Sequence, residues 1–319
     1  MRSKLLVTRR LPEAVEARCR RDYDAVLNET DTVYGADELL RLAEGADAIL
    51  CAPGDRLDAA LIARLPDTVK VVGTFSVGYD HVDAKALRAR GIALCNTPDV
   101  LSLATAEITM LLILAAARRA GEAERLLRAG QWTGWAPTQL IGTQISGRRI
   151  GIYGMGRIGR EVAAMARGFS MEVHYRNRSR LAPDLEQGAI FHDTDESLLS
   201  VSDVLSLNAP STPDTYRWLN AARIEQLPQG AIVVNAARGT LVDDAALIAA
   251  LTSRRIAAAG LDVYDGEPKV DPGYLALENV VLLPHLGSAT TTARDAMGFL
   301  ALDGIDAVLR GESPANKVS

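Results

Sequence analysis

The stretch Gly151-Ile152-Tyr153-Gly154-Met155-Gly156-Arg157-Ile158-Gly159-Arg160 decides the reading of this chain. It contains G-x-G-x-x-G at Gly154, Gly156 and Gly159, with an apolar strand pattern from Arg149 to Tyr153 before it and a helical pattern from Glu161 to Arg167 after it. The order has a physical basis. The first glycine permits a tight turn, the second lets backbone approach a pyrophosphate, and the third lets the helix pack closely on the strand. The helix start then offers free N–H groups and the positive end of its dipole to phosphate. A tight turn in a non-binding α/β domain could carry the same glycines. The flanking strand and helix, with a second strand at the right distance, supply the context a dinucleotide site requires. Gly154, Gly156, Arg157, Ile158 and Gly159 are therefore expected at the cofactor.

The next strand speaks to which dinucleotide. NAD sites usually place Asp or Glu at its end, about 20 residues on, to grip the ribose 2′-hydroxyl. Here Glu172-Val173-His174-Tyr175 runs into Arg176-Asn177-Arg178-Ser179-Arg180, with no acid at that place. Guanidinium forks suit a phosphate dianion. The turn thus favours NADP over NAD, with Arg176 and Arg178 on the phosphate and Asn177 and Ser179 donating hydrogen bonds. A solvated basic turn is the plainer alternative.

Outward from the glycine loop, short β-branched runs alternate with helical stretches in both directions, the pattern of βαβ units and a parallel sheet. Strands are expected at Lys4-Val7, Ala48-Cys51, Val69-Thr74 and Ala93-Cys95, and then at Arg149-Tyr153, Glu172-Tyr175, Ala189-Phe191, Asp203-Leu207, Ala231-Asn235, Ala257-Asp262 and Val280-Leu283. A long helix is expected from Ser102 to about Ala120, and Gln131 to Pro137 reads as an exposed loop. The second series is a doubly wound sheet by itself. The chain of 319 residues is about twice the usual domain, so we expect two Rossmann-like α/β domains. A cofactor domain, residues 100–286, is inserted in a smaller flavodoxin-like substrate domain, residues 1–99 and 287–319. By pattern alone the last helix, Ala289 to Leu309, could return to either. A cleft between two domains is a favoured small-ligand site.

Composition excludes several classes. With 48% hydrophobic and 24% charged residues the chain is ordinary globular protein rather than disordered. A net charge of −5 gives no basic surface for nucleic acid or an anionic membrane. Cys19, Cys51 and Cys95 are too scattered for a disulfide framework or a zinc knuckle, so no metal is expected. No signal peptide is visible before Pro12. The apolar run Ile108 to Ala117 is far short of the roughly 20 residues that span a bilayer. These features point to the cytoplasm.

Reducing a ketone by hydride transfer needs a proton donor at the carbonyl oxygen, and histidine titrates in the right range. The candidates are His81, His174, His192 and His285. His81 follows Gly78-Tyr79-Asp80 in a loop, His174 lies inside a strand, and His192 ends a strand and is expected to be exposed. His285, in Leu283-Pro284-His285-Leu286-Gly287, follows an apolar strand directly. Ligands of open α/β sheets bind beyond the carboxyl ends of the strands, which gives His285 the best position. Arg238, after Ala231-Asn235, and Glu267, after Ala257-Asp262, share that edge. Each alone reads as a surface residue; three on consecutive strands above a glycine loop read as a site.

These motifs together resemble the D-isomer-specific 2-hydroxyacid dehydrogenases. The resemblance rests on Gly154-x-Gly156-x-x-Gly159, Asn235-Ala236-Ala237-Arg238-Gly239, Gly260-Leu261-Asp262-Val263-Tyr264-x-x-Glu267-Pro268 and Leu283-Pro284-His285-Leu286-Gly287, in order along nearly the whole chain. It implies that Arg238 binds the substrate carboxylate and polarises the carbonyl, and that His285 exchanges the proton. Glu267 would hold the imidazole and favour its charged form. Ser76, Val77 and Gly78 would receive the carboxylate on backbone N–H groups. Asp262 would sit near the nicotinamide amide, with Thr105, Pro210, Ala236 and Gly287 also lining the cofactor. Many relatives carry His where this chain has Asn208.

Within the family, the turn Tyr175-Arg176-Asn177-Arg178 and the loop Trp132-x-x-Trp135-x-Pro137 are similar to those of NADPH-preferring glyoxylate/hydroxypyruvate reductases. That implies a small 2-oxo or 2-hydroxy acid substrate and a homodimer in which Trp135 reaches the partner's site. The alternatives are an NAD-using dehydrogenase for bulkier 2-oxo acids, and a dinucleotide-sensing protein like the C-terminal-binding corepressors.

Overall fold

The computed structural model describes residues 2–318. The chain divides into two units: one runs to Leu101 and resumes at Ser288, and the other is Ser102–Gly287. Each is built on a parallel sheet with helices in its crossovers, an α/β architecture.

In the first unit, β1 (Lys4–Val7), β2 (Asp24–Val26), β3 (Ala48–Cys51), β4 (Val71–Thr74) and β5 (Ala93–Cys95) lie in the order β2-β1-β3-β4-β5. That is the flavodoxin-like order. β3 and β4 are buried along their whole length, as expected of strands covered on both faces. Asp58 and Asp83 cap the helices that follow them, accepting from Leu61 N and Ala86 N. Such caps satisfy amide donors that the first turn leaves open. The last helix, Thr291–Leu309, joins this unit. Small residues let it approach: a Cβ at Gly73 would lie 2.9 Å from Ile305 Cδ1, and one at Gly298 would lie 2.4 Å from Val15 Cγ2. Arg18 then binds Asp303 at 2.7 Å and Asp306 at 2.8 Å.

In the second unit, β6 (Arg149–Tyr153), β7 (Glu172–Arg176), β8 (Ile190–Phe191), β9 (Val204–Leu207), β10 (Ala231–Asn235), β11 (Ile256–Leu261) and β12 (Val280–Leu282) lie in the order β12-β11-β10-β9-β6-β7-β8. The chain winds outward from β6 in one direction and then crosses back to β9 to wind the other way. The crevice at that reversal, beyond the carboxyl ends of β6 and β9, is where doubly wound sheets take ligands. The helix Ser102–Ala117 is buried on several faces against this sheet. Gly260 admits it, since a Cβ there would stand 2.8 Å from Leu112 Cβ.

Three local expectations are corrected. The long helix stops at Ala117; Arg119 turns left-handed at φ 52°, and a second helix runs Ala120–Arg128. β2 was not expected, because three residues headed by an aspartate carry no strand period. His192 is half-buried rather than exposed. Cys19, Cys51 and Cys95 are buried free thiols, and burial pushes Cys19 and Cys51 up to about 12. Among the described residues no helix is long and apolar enough to cross a membrane.

Candidate active site

The glycine loop takes the shape its sequence requires. Gly154 sits at φ 95°, and a Cβ there would strike Ala209 N at 2.6 Å. A Cβ at Gly159 would stand 2.6 Å from Gly154 O, so only glycine lets the helix Arg157–Gly168 pack so close. Over Gly156, by contrast, nothing lies within 4 Å of a Cβ position, and no side chain caps the helix that begins beside it. Open space above uncapped amide donors fits a pyrophosphate.

The turn after β7 is built from its own side chains. Asn177 accepts from Met155 N at 2.7 Å, so its amide clamps the glycine loop. Arg176 donates to Asn177 O and faces Asp195. Arg180 makes a two-point bond to Glu186, at 2.8 and 3.1 Å, and Tyr175 Oη donates to the same carboxylate. Arg178 and Ser179 stand exposed. Of the four residues expected at a 2′-phosphate, two are thus presented to solvent and two are engaged within the protein.

The loops after β10, β11 and β12 converge. Asn235, fully buried, donates to Arg238 O at 2.8 Å and accepts from Ala237 N at 3.0 Å, which fixes the turn carrying Arg238. A Cβ at Gly239 would fall 1.9 Å from Tyr264 C, so the Arg238 turn lies directly on the loop that leads to Glu267. Glu267 Oε1 accepts from Tyr264 N at 2.9 Å, and its Oε2 stands 2.8 Å from His285 Nδ1. Tyr264 Oη in turn donates to Leu283 O at 2.8 Å.

Asp262, also fully buried, accepts from Leu286 N at 2.7 Å and Gly287 N at 2.8 Å, and its carbonyl accepts from His285 N at 2.9 Å. These bonds hold His285 in a left-handed conformation, φ 56°, that side chains seldom adopt. Burial pushes the Asp262 carboxyl up, opposed by the two amide bonds and the nearby imidazole. Thr105 lies beside Gly287: a Cβ on that glycine would be 3.3 Å from Thr105 Cγ2 and 3.5 Å from Asp262 Oδ2. Ala236 and Pro210 follow β10 and β9 at the same edge, and Ser211 Oγ meets Thr240 Oγ1 at 2.8 Å to join those two loops.

In the first unit, the turn Ser76-Val77-Gly78 follows β4. Its three carbonyls are bonded, to Thr97 N, Asn96 Nδ2 and Ser76 Oγ respectively. Among the described residues no acceptor meets its three N–H groups. Successive unpaired amides of this kind make an anion-binding concavity. Thr74 Oγ1 supports the turn, meeting Ser76 Oγ at 2.8 Å and His81 Nε2 at 2.9 Å. Trp135 is 81% exposed in its loop, and Trp132 donates to Gln139 Oε1. Asn235, Tyr264 and Thr74 were not singled out from sequence. Asn235 and Tyr264 sit inside the quoted motifs, but their work is to orient neighbours, which residue type alone does not disclose.

A doubly wound sheet with an arginine, a carboxylate and an imidazole gathered at its carboxyl edge is the arrangement of a nicotinamide-dependent dehydrogenase. Residues 110–287 match the NAD binding domain of the D-isomer specific 2-hydroxyacid dehydrogenases, and the chain belongs to that family. It is 46% identical to a glycerate dehydrogenase of Hyphomicrobium methylovorum over 97% of both chains. It is 39% identical to a glyoxylate reductase of Thermococcus onnurineus, covering 100% of this chain and 96% of that one. A crystal structure of an NADPH-dependent glyoxylate/hydroxypyruvate reductase from Sinorhizobium meliloti, in complex with NADP and malonate, superposes with a TM-score of 0.90 at 31% identity, covering 100% and 97% of the two chains.

Proposed function

We propose that this protein is an NADPH-preferring reductase of small 2-oxo acids, glyoxylate and hydroxypyruvate, to D-2-hydroxy acids. The observation that carries the reading is the bonded pair His285 and Glu267, with the Arg238 turn packed on the same loop. When bound, the nicotinamide supplies a hydride to the 2-carbon. Nδ1 of His285 is taken up by Glu267, which leaves Nε2 to give its proton to the developing alkoxide. Arg238 would bind the substrate carboxylate and polarise the carbonyl; the amides of Ser76, Val77 and Gly78 offer the first unit an anion site of its own.

The inserted unit would hold the dinucleotide and carry Arg238, Glu267 and His285, and the unit formed by the two ends of the chain would be the substrate domain. Gly154, Gly156, Arg157, Ile158 and Gly159 would cradle the pyrophosphate. Thr105, Pro210, Ala236, Asp262 and Gly287 would line the rest of the cofactor. The 2′-phosphate would be met at the turn Arg176 to Ser179, where no acid takes the place used for an NAD ribose; NAD is the alternative cofactor. The relatives named glyoxylate reductase support the substrate class. Leu103, Leu111, Leu127, Trp132, Trp135 and Ile141, all exposed between residues 103 and 141, support a homodimer. The reading places the enzyme in the cytoplasm.

The test is the initial rate of glyoxylate reduction with NADPH and with NADH under identical conditions. A fast rate favouring NADPH supports the proposal. No rate with either, in protein shown to bind NADPH, would assign the site to a larger acid or to a sensor.

A further inference from the structure

We propose that Asp195 is a specificity-determining positioning residue of the cofactor turn: it holds Arg176 inward and so leaves Arg178 as the arginine that meets a 2′-phosphate. The inference rests on the reading that this turn faces the 2′ position of the cofactor.

Asp195 opens the short helix Asp195–Leu199, distant in sequence from the turn it controls. Its position is over-determined. Oδ2 accepts from Trp218 Nε1 at 2.7 Å and from Arg223 Nη2 at 3.0 Å. Trp218 is 2% exposed and stacks on Tyr153, the last residue of β6, with ring centroids 3.7 Å apart. The Arg223 guanidinium lies over the same indole at 5.1 Å. The carboxylate is therefore fixed to the strand that enters the glycine loop.

Its other oxygen, Oδ1, faces Arg176 Nε at 3.5 Å. The Arg176 side chain is 24% exposed, its Nε is buried without a hydrogen bond, and its Nη1 donates to Asn177 O. Both edges that use Nε or Nη1 are thus turned into the protein, and a two-point grip on a phosphate needs such an edge. Arg180 is likewise taken by Glu186. Of the three arginines in the turn, Arg178 alone has no internal ion pair among the described residues. The acid that NAD sites carry at the end of this strand is absent from the sequence position. A carboxylate nevertheless arrives beside Arg176 from the next crossover, and it opposes a dianion there.

The test measures the Kd of NADPH and of NADH by fluorescence titration, together with KM and kcat for each, in the full-length enzyme. Asp195→Asn keeps an acceptor for Trp218 and removes the charge. It should raise the NADPH-over-NADH ratio of kcat/KM about fivefold or more, a coupling of ordinary size for neighbouring charges. The gain should lie in the KM for NADPH rather than in kcat, and should vanish in Asp195→Asn combined with Arg176→Leu. Asp195→Ser should move the ratio the same way, and thermal unfolding with Trp fluorescence reports whether either variant is folded. An unchanged or lowered ratio in a folded variant, or a gain that survives the second substitution, overturns the proposal. Arg178→Ala keeps the two readings apart. A wild-type preference for NADH that Arg178→Ala leaves alone would refute the NADPH assignment, while the direction of the Asp195 shift still tests this inference.

Discussion

Nδ1 of His285 stands 2.8 Å from Oε2 of Glu267, although the two residues are carried by separate loops after neighbouring strands, β12 and β11. Burial works against the Glu267 charge, but the bond to His285, the Tyr264 amide and the fields of His285 and Arg238 outweigh it. They hold the carboxyl below the usual carboxylate range. Glu267 therefore stays ionised through neutral pH and loses its charge only on strong acidification. Replacing His285 by Ala should lower kcat by about 10²–10⁴-fold, the usual share of a general acid, with dinucleotide binding retained by fluorescence titration. Glu267→Gln should leave partial activity and alter the acid limb of the kcat/KM profile; an unaltered profile would remove the pair from proton transfer.

The carboxylate of Asp262 supports that imidazole from below by accepting from Leu286 N and Gly287 N. Asp262→Asn retains one acceptor and turns an N–H donor toward an amide donor. Leaving a buried donor unmet costs about 1–3 kcal/mol, so thermal unfolding should shift down and turnover should fall with it. A variant that melts and turns over like wild type would show that the His285 loop holds itself.

Arg178 is exposed at the turn after β7. A charge-assisted bond contributes about 1.5–3 kcal/mol, so Arg178→Ala should raise the KM for NADPH by roughly 10–100-fold while that for NADH moves little. Steady-state kinetics with each cofactor decides it, and equal losses would break the 2′-phosphate argument.

His174 and His192 share a bond of 2.9 Å between Nδ1 and Nε2, with Glu172 at 2.6 Å beyond His174 and Ser197 at 3.0 Å beyond His192. Burial, and then His174, lower His192 from the ordinary imidazole value of 6.5. The unfolded chain then binds more protons at this site than the folded one in the window just below pH 6.5. Stability from His192 is complete above that pH and is lost as pH falls through the window toward the folded value. His192→Gln should flatten the fall in melting temperature as pH drops below about 6.5. A fall as steep as in wild type would place acid sensitivity elsewhere.

Much of the second unit was legible because its signals are local. A glycine that must turn, an amide row that must pair and an apolar run that must be covered are each set by neighbours within a few residues. The glycine loop and the strand β6 before it follow from Gly154, Gly156 and Gly159 with the pattern Arg149 to Tyr153. The alternation of strands and helices likewise announced a parallel sheet, and strand ends told where Arg238, Glu267 and His285 would emerge. The amino-acid sequence by itself thus determined the α/β class, the dinucleotide loop and the family.

Tertiary structure decided what each charged side chain meets. Three arginines in one turn are equivalent as letters. Glu186 takes Arg180 and Asp195 faces Arg176, and the second of these comes from a crossover whose place depends on how β8 and β9 are ordered in the sheet. The bond between His174 and His192, the seat of the last helix on β4 beside Gly73, and the support of His285 by Asp262 are of the same kind. Each joins residues far apart in the chain through strand register and close approach of backbone, and no local period encodes such distances.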